Sequence, residues 1–263
     1  GDRLVWRPVE ARMGMDQNPE ALDETSRLRA ERLTLIQSTN TLRFEGPTQL
    51  LRWTQRRQPD VEPDTDIRAS NGRWNLETGE LGVHGPVRAL RRKELTVTAS
   101  ALQGNTQQGF LDLIQPVRLE QKDGAINAGT TRWNLAEQRL RSIAPFQGKR
   151  QDATAMGNGF VIDEAATTVI IPKACQLTQP GESLKAHRCS WNWATNRVVA
   201  DGNVVLRRQD PVQETRAPRM EGQLGSGEGI RFSSAGQRVR SSIHVMPDQP
   251  RSTPPSSHPR VSF

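Results

Sequence analysis

The sequence predicts an all-β protein, a thin sandwich or an open elongated sheet built from repeated antiparallel strand pairs. Three observations lead there. First, Trp-Asn occurs three times and opens the same pattern each time. Trp74-Asn75-Leu76 precedes Leu81 and Pro86, Trp133-Asn134-Leu135 precedes Leu140 and Pro145, and Trp191-Asn192-Trp193 precedes Val198 and Gly202. The three tryptophans are spaced 59 and 58 residues apart, too regular for a rare residue placed by chance. Second, the flanking residues alternate apolar and polar, the period of a strand with one dry and one wet face. Third, 21 glycines and 17 prolines supply many turns, while only 34% of the chain is hydrophobic, which suits a thin core.

Taken in order, residues 1–30 carry too few apolar positions for a packed element. They are expected to be mostly irregular, with a short strand at Leu4-Val5-Trp6 and a helix-start signal at Asn18-Pro19-Glu20. From residue 31 to 246 the strand signal is steady. Leu33, Leu35, Leu42 and Phe44 flank a turn at Gln37-Ser38-Thr39-Asn40. They form a degenerate copy of the pattern, offset by 39 residues from the Trp74 copy and lacking the tryptophan. Leu95–Ala99, Phe110–Ile114 and Thr167–Ile171 read as further strands, and Gly46-Pro47, Gly85-Pro86 and Gln115-Pro116-Val117 as a recurring punctuation. A linker is expected near 209–225, and the Pro/Ser/Arg-rich segment 247–263 reads as a disordered tail.

Trp74 and Leu76 stand two apart, as do Trp133 with Leu135 and Trp191 with Trp193, so each pair is expected to share the inward face of a strand. Cys175 and Cys189 lie symmetrically about the turn signal Gln179–Ser183. In one antiparallel hairpin they would face each other and form a disulfide, implying an oxidising compartment; two small buried thiols are the alternative.

Chemistry-bearing motifs are lacking. The four histidines are scattered without metal-ligand spacing, Gly222–Gly229 lacks the Gly-Lys-Ser/Thr of a phosphate-binding loop, and Asp163-Glu164 are adjacent. No enzyme, metal or cofactor is expected. The net charge of +7 comes mostly from arginine. The basic runs Arg88–Lys93 and Arg56-Arg57 read as inter-strand segments with no accompanying nucleic-acid motif, so nucleic acid is not an expected partner. No apolar window is long enough to span a bilayer. The chain begins Gly1-Asp2-Arg3, as a processed product whose targeting or anchoring segment is missing would.

The cadence is familiar in Leu184–Trp193 followed by Val198-Val199-Ala200-Asp201-Gly202-Asn203-Val204-Val205-Leu206-Arg207. Over about residues 30–246 it resembles the OstA-like β-jellyroll of lipopolysaccharide export proteins. It is similar to the LptC family, in a long form of the type seen in photosynthetic bacteria, whose members form an open, twisted β-jellyroll sandwich. The resemblance implies a non-enzymatic periplasmic carrier that shields lipid A acyl chains in an apolar groove. It also implies edge-to-edge contact with other β-jellyroll export components and with an inner-membrane ABC transporter, and an inner-membrane anchor. It places Trp74, Leu76, Trp133, Leu135, Trp191 and Trp193 along that groove. A secreted β-solenoid with a structural or carbohydrate-binding role is the alternative. It requires aromatic residues on an exposed face, for which Trp53 is the candidate.

Overall fold

In the computed structural model the described residues are 3–22, 24–58, 60–92, 94–223, 229–233 and 238–244. The chain lays two strands in one layer, crosses, lays two in a second layer, and crosses back. β1 (Arg3–Arg7) and β2 (Arg12–Asp16) begin the first layer, and β3 (Glu20–Leu22) and β4 (Ser26–Arg29) the second. β5 (Arg32–Ile36) and β6 (Thr41–Glu45) return to the first, and β7 (Thr48–Arg52) and β8 (Thr65–Ala69) to the second. The alternation continues through β9 (Asn71–Asn75) and β10 (Glu80–His84), β11 (Val87–Arg91) and β12 (Leu95–Ala99), then β13 (Ala101–Asn105) and β14 (Phe110–Ile114), β15 (Val117–Gln121) and β16 (Gly124–Ala128). β17 (Thr131–Asn134) is followed by the long β18 (Arg139–Arg150) and β19 (Ala153–Asp163), each of which serves both layers. β20 (Thr168–Ile171), β21 (Cys175–Gln179), β22 (Glu182–Ala186) and β23 (Arg188–Asn192) lead to a second long pair, β24 (Arg197–Gln209) and β25 (Val212–Gln223). β26 (Arg231–Ser233) ends the first layer and β27 (Arg240–His244) the second.

Every pairing is antiparallel, and each layer is one continuous ladder from β1 or β3 to β26 or β27. The layers meet along one spine, where the chain crosses between them. Gly46-Pro47, Gly85-Pro86 and Gln115-Pro116 are three of these crossings, which explains their recurrence: a proline between strands removes no ladder hydrogen bond, so it is tolerated there. In β18 and β24 the chain crosses without a break, and the pairing shifts register between Ser142 and Pro145 and between Asp201 and Val204. Opposite the spine, both layers end in hairpin turns, and that side is the mouth of the sandwich.

Alternation decides what lies inside. β11 buries Val87, Ala89 and Arg91, β15 buries Val117 and Leu119, and β18 buries Leu140, Ser142, Phe146 and Gly148. One apolar cluster runs from Leu28 to Met220, with Trp133, Phe160, Leu33 and Leu102 almost wholly enclosed.

Three expectations are corrected. Residues 3–29 form four strands rather than irregular chain. Ladder bonds, ion pairs (Glu20 with Arg27 and Arg29, Asp16 with Arg32) and the core contact of Leu28 hold them, and Pro19 lies buried at a crossing instead of opening a helix. The segment read as a linker near 209–225 contains the long strand β25, whose Thr215, Ala217 and Met220 are buried. The basic run Arg88–Lys93 does not lie between strands, because Arg88–Arg91 belongs to β11. The tail 247–263 lies outside the described residues.

Candidate functional site

The mouth of the first layer is built by a repeat half as long as the tryptophan spacing. Asn75, Asn105, Asn134, Asp163 and Asn192 each end a strand, and they recur every 29 or 30 residues. Each side-chain oxygen accepts backbone N–H groups of the turn that follows: Glu77 and Thr78 to Asn75, Gln107 and Gln108 to Asn105, Glu137 to Asn134, Ala166 to Asp163, Ala194 and Thr195 to Asn192. The last turn residue adopts positive φ every time: Asn40, Gly79, Gly109, Gln138, Thr167 and Asn196. Glycine and asparagine at four of these six places take that conformation at least cost. The turns also bond to one another. The N–H groups of Leu76, Thr106, Leu135, Glu164 and Trp193 donate to the carbonyls of Asn40, Gly79, Gly109, Gln138 and Thr167. The lip is therefore a stack of locked turns.

Two residues in from each turn, one row crosses the first layer strand by strand. It starts at Trp6, Met13, Leu35 and Leu42 and continues through Trp74, Leu81, Gly104 and Leu111. Trp133, Leu140, Ile162, Val169, Trp191 and Val198 complete it. Trp74, Trp133 and Trp191 thus share one row on one face. Leu76, Leu135 and Trp193 do not sit in strands. They are the first residues of the turns, because each strand ends at its asparagine.

The environment of the row changes along its length. Between β4 and β7 of the second layer and β6, β9 and β10 of the first lies a cleft of about 240 Å³. Its floor is Leu28, Phe44, Leu50, Trp74 and Leu81, and its rim is Thr25, Ser26, Arg52, Leu76, Thr106 and Gln107. Trp74 is half-buried there and donates its indole N–H to the Thr106 hydroxyl at 3.1 Å. At Trp133 there is no opening; its relative exposure is 0%. Arg91, the last residue of β11, reaches in from the second layer with its guanidinium 5.1 Å from the indole centroid, and it pairs with Glu164 of the β19–β20 turn at 3.1 Å. Burial pulls the Arg91 guanidinium below its ordinary value and pushes the Glu164 carboxyl above its own; in each case desolvation outweighs the partner's attraction. Arg91 Nε, Glu164 Oε1 and the Trp133 indole nitrogen are buried without a protein partner. Farther along, Arg150, the last residue of β18, stands 5.4 Å over Trp191. Arginines that end second-layer strands therefore cap the apolar row of the first layer.

Cys175 and Cys189 form the expected disulfide, by a different route. They are not partners in one hairpin. Cys175 in β21 pairs with Ala186, whereas Cys189 in β23 pairs with Ala200 and Ile171. The bond joins the two layers near the spine. Trp53 is buried, with its indole N–H donated to the Val61 carbonyl at 2.7 Å, so it offers no exposed ring for a sugar. Arg91 and Glu164 were not legible as site residues: one stood in a basic run, the other in an adjacent acidic pair. The signal available was strand parity, which turns Arg91 to the same side as Val87 and Ala89. Many other arginines pair with carboxylates, as Arg132 does with Asp112, Arg139 with Asp163 and Arg219 with Asp201. Among the described residues, no group of three or more His, Cys, Asp or Glu is placed to hold a metal ion.

No family model matches this sequence, and no curated protein matches it. Among solved structures the chain is similar to LptH, described as the LptA homologous periplasmic component of the conserved lipopolysaccharide transport device from Pseudomonas aeruginosa. The two are 13% identical, with a TM-score of 0.40, and the match covers 59% of this chain and 98% of that one.

Proposed function

We propose that this chain is a periplasmic, non-enzymatic carrier of lipopolysaccharide, of the LptC type, which shields acyl chains between its two layers. The observation that carries the reading is the cleft at Trp74. Its floor is apolar, its rim is polar and includes a cation, and it opens along the mouth of a sandwich whose inner row is apolar for most of its length. That distribution matches an amphiphile with its tail inside and its headgroup at the rim. Each enclosed CH₂ gains about 0.8 kcal/mol, so a chain of about a dozen carbons gains roughly 10 kcal/mol if fully enclosed. The cleft exceeds the roughly 150 Å³ that admits benzene, so it holds part of a chain and leaves the rest available for release.

The ends of the molecule support a bridge role. β1 and β3 at one end, and β26 and β27 at the other, each pair on one side only among the described residues. Such edges suit strand addition by another β-jellyroll export component or by an inner-membrane transporter. Trp6 and Leu4 on β1 are more than half exposed and lie in line with the inner rows, so a neighbour docked there would extend the apolar floor.

Photo-crosslinking tests the reading. A photoreactive residue at Leu76 or Leu50 is expected to capture lipopolysaccharide through its acyl chains. One at Arg73, on the outer face of β9, is expected to capture none. Labelling at Arg73 with none at Leu76 or Leu50 would sink the proposal.

A further inference from the structure

We infer that Arg91 is an anion-binding residue for the phosphate of an entering amphiphile, and that Glu164 holds its place until that phosphate arrives. The inference rests on the carrier reading above and names where along the groove the headgroup is recognised.

The sealed segment leaves several polar groups unmet. Arg91 is 6% exposed, and among the described residues its ion pair joins Nη2 to Glu164 Oε2 at 3.1 Å. Its Nε–H has no protein partner, nor has the N–H of the indole beneath it. Glu164 leaves one of its own oxygens unpaired as well. A buried pair satisfied by a single bond is a weak lock, because each unmet polar atom keeps its desolvation cost. The two orphan groups on the guanidinium–indole stack are both donors. What they lack is an acceptor with several oxygens and a negative charge. A phosphate monoester supplies three such oxygens, for Arg91 Nη2, Arg91 Nε and Trp133 Nε1, whereas the Glu164 carboxylate occupies one of these donors.

The position specifies the rest of the ligand. Arg91 ends a second-layer strand at the mouth, directly over the apolar row at Trp133 and Leu140. An anion bound there has its attached chain pointing along that row. Glu164 belongs to a turn, and its side chain is 21% exposed, so it can rotate into solvent without disturbing a strand. The exchange breaks one ion pair and forms another. No covalent bond changes.

Two probes with the same photoreactive dodecyl tail test this on the full chain, dodecyl phosphate and dodecyl maltoside, with labelled peptides mapped by mass spectrometry. Both are expected to label the cleft around Phe44 and Trp74. Only dodecyl phosphate should label the segment holding Trp133 and Leu140, by about tenfold over the maltoside, the ratio one charge-assisted hydrogen bond supports. Glu164→Gln should raise that labelling, and Arg91→Gln should erase the difference between the probes. Equal labelling of the central segment by both probes in the unsubstituted protein would overturn the inference, as would an excess of phosphate labelling that survives Arg91→Gln. If Arg91→Gln fails to fold, Glu164→Gln decides, since it leaves the guanidinium in place: no rise in phosphate labelling overturns the assignment. Inorganic phosphate that displaces the probe at equal concentration would show a free-anion site and defeat the amphiphile assignment. Absence of label from both cleft and central segment would instead defeat the carrier reading itself.

Discussion

Trp74 and Trp133 hold the same place in two copies of one repeat, each two residues in from a locked turn and each in line with its neighbours across the first layer. One lies half-buried in the floor of a cleft; the other has no exposed surface. The backbone does not explain the difference. The side chain offered by the next turn, and whatever the opposite layer supplies, do. Next to Trp74 the following turn presents Thr106, whose hydroxyl accepts the indole N–H hydrogen bond and stays at the rim. Next to Trp133 the equivalent residue is Glu164, which reaches across the mouth to Arg91 and leaves that indole nitrogen unpaired. A repeat can thus set the track for a ligand while single lip residues decide where the track is open.

The two tryptophans differ most in what their loss costs. Trp133→Ala removes a fully enclosed indole and is expected to cost about 3–5 kcal/mol in urea unfolding, whereas Trp74→Ala, beside an existing cleft, should cost about half of that or less. Equal losses would mean that the two sites do not differ as described. The next effect separates the halves of the molecule. The Cys175–Cys189 disulfide, with a sequence separation of 14, staples the layers only in the C-terminal half. Its reduction is expected to cost about 3 kcal/mol and to raise amide exchange in β20–β24 while leaving β5–β10 unchanged, because repeats stabilise mainly their neighbours. A uniform rise along the chain would contradict this.

The smallest effect concerns pH. Burial raises the Glu164 carboxyl above its ordinary 4.5, against the pull of Arg91 and Arg92 and with the push of Asp163; Asp64 acts on the Arg91 side. The folded state therefore takes up a proton before the unfolded chain does. The contribution of Glu164 to stability is fully present below about pH 4.5 and is lost as pH rises through its elevated folded value. Melting temperatures of Glu164→Gln relative to the unsubstituted protein should accordingly improve as pH increases through that window. A difference that stays flat would show that Glu164 is not held in a desolvated clasp.

Much of the fold was legible because its information is local. Alternation at Leu81 and Val83 or at Leu111 and Leu113 assigns strands, and the Trp-Asn pattern announces the turns. The reading doubled the repeat, because Gly104 and Ile162 stand where a tryptophan would have marked the intervening copies. It placed Leu76, Leu135 and Trp193 one step inside strands that the asparagine caps had already ended. It left residues 3–29 irregular, because their strands are only three to five residues long and offer one or two inward apolar positions each, such as Met13 and Met15 or Leu28.

By itself the sequence determined the class, the inward face of strongly alternating strands such as Glu80–His84 and Phe110–Ile114, and the presence of two cysteines able to pair. Those follow from steric and polar preferences that act between neighbouring residues. Only the tertiary structure decided that Cys175 and Cys189 join the two layers, that Arg91 covers Trp133, and that Glu164 meets Arg91 across the mouth. Such contacts depend on how two twisted layers are staggered against each other, and no local spacing encodes that stagger.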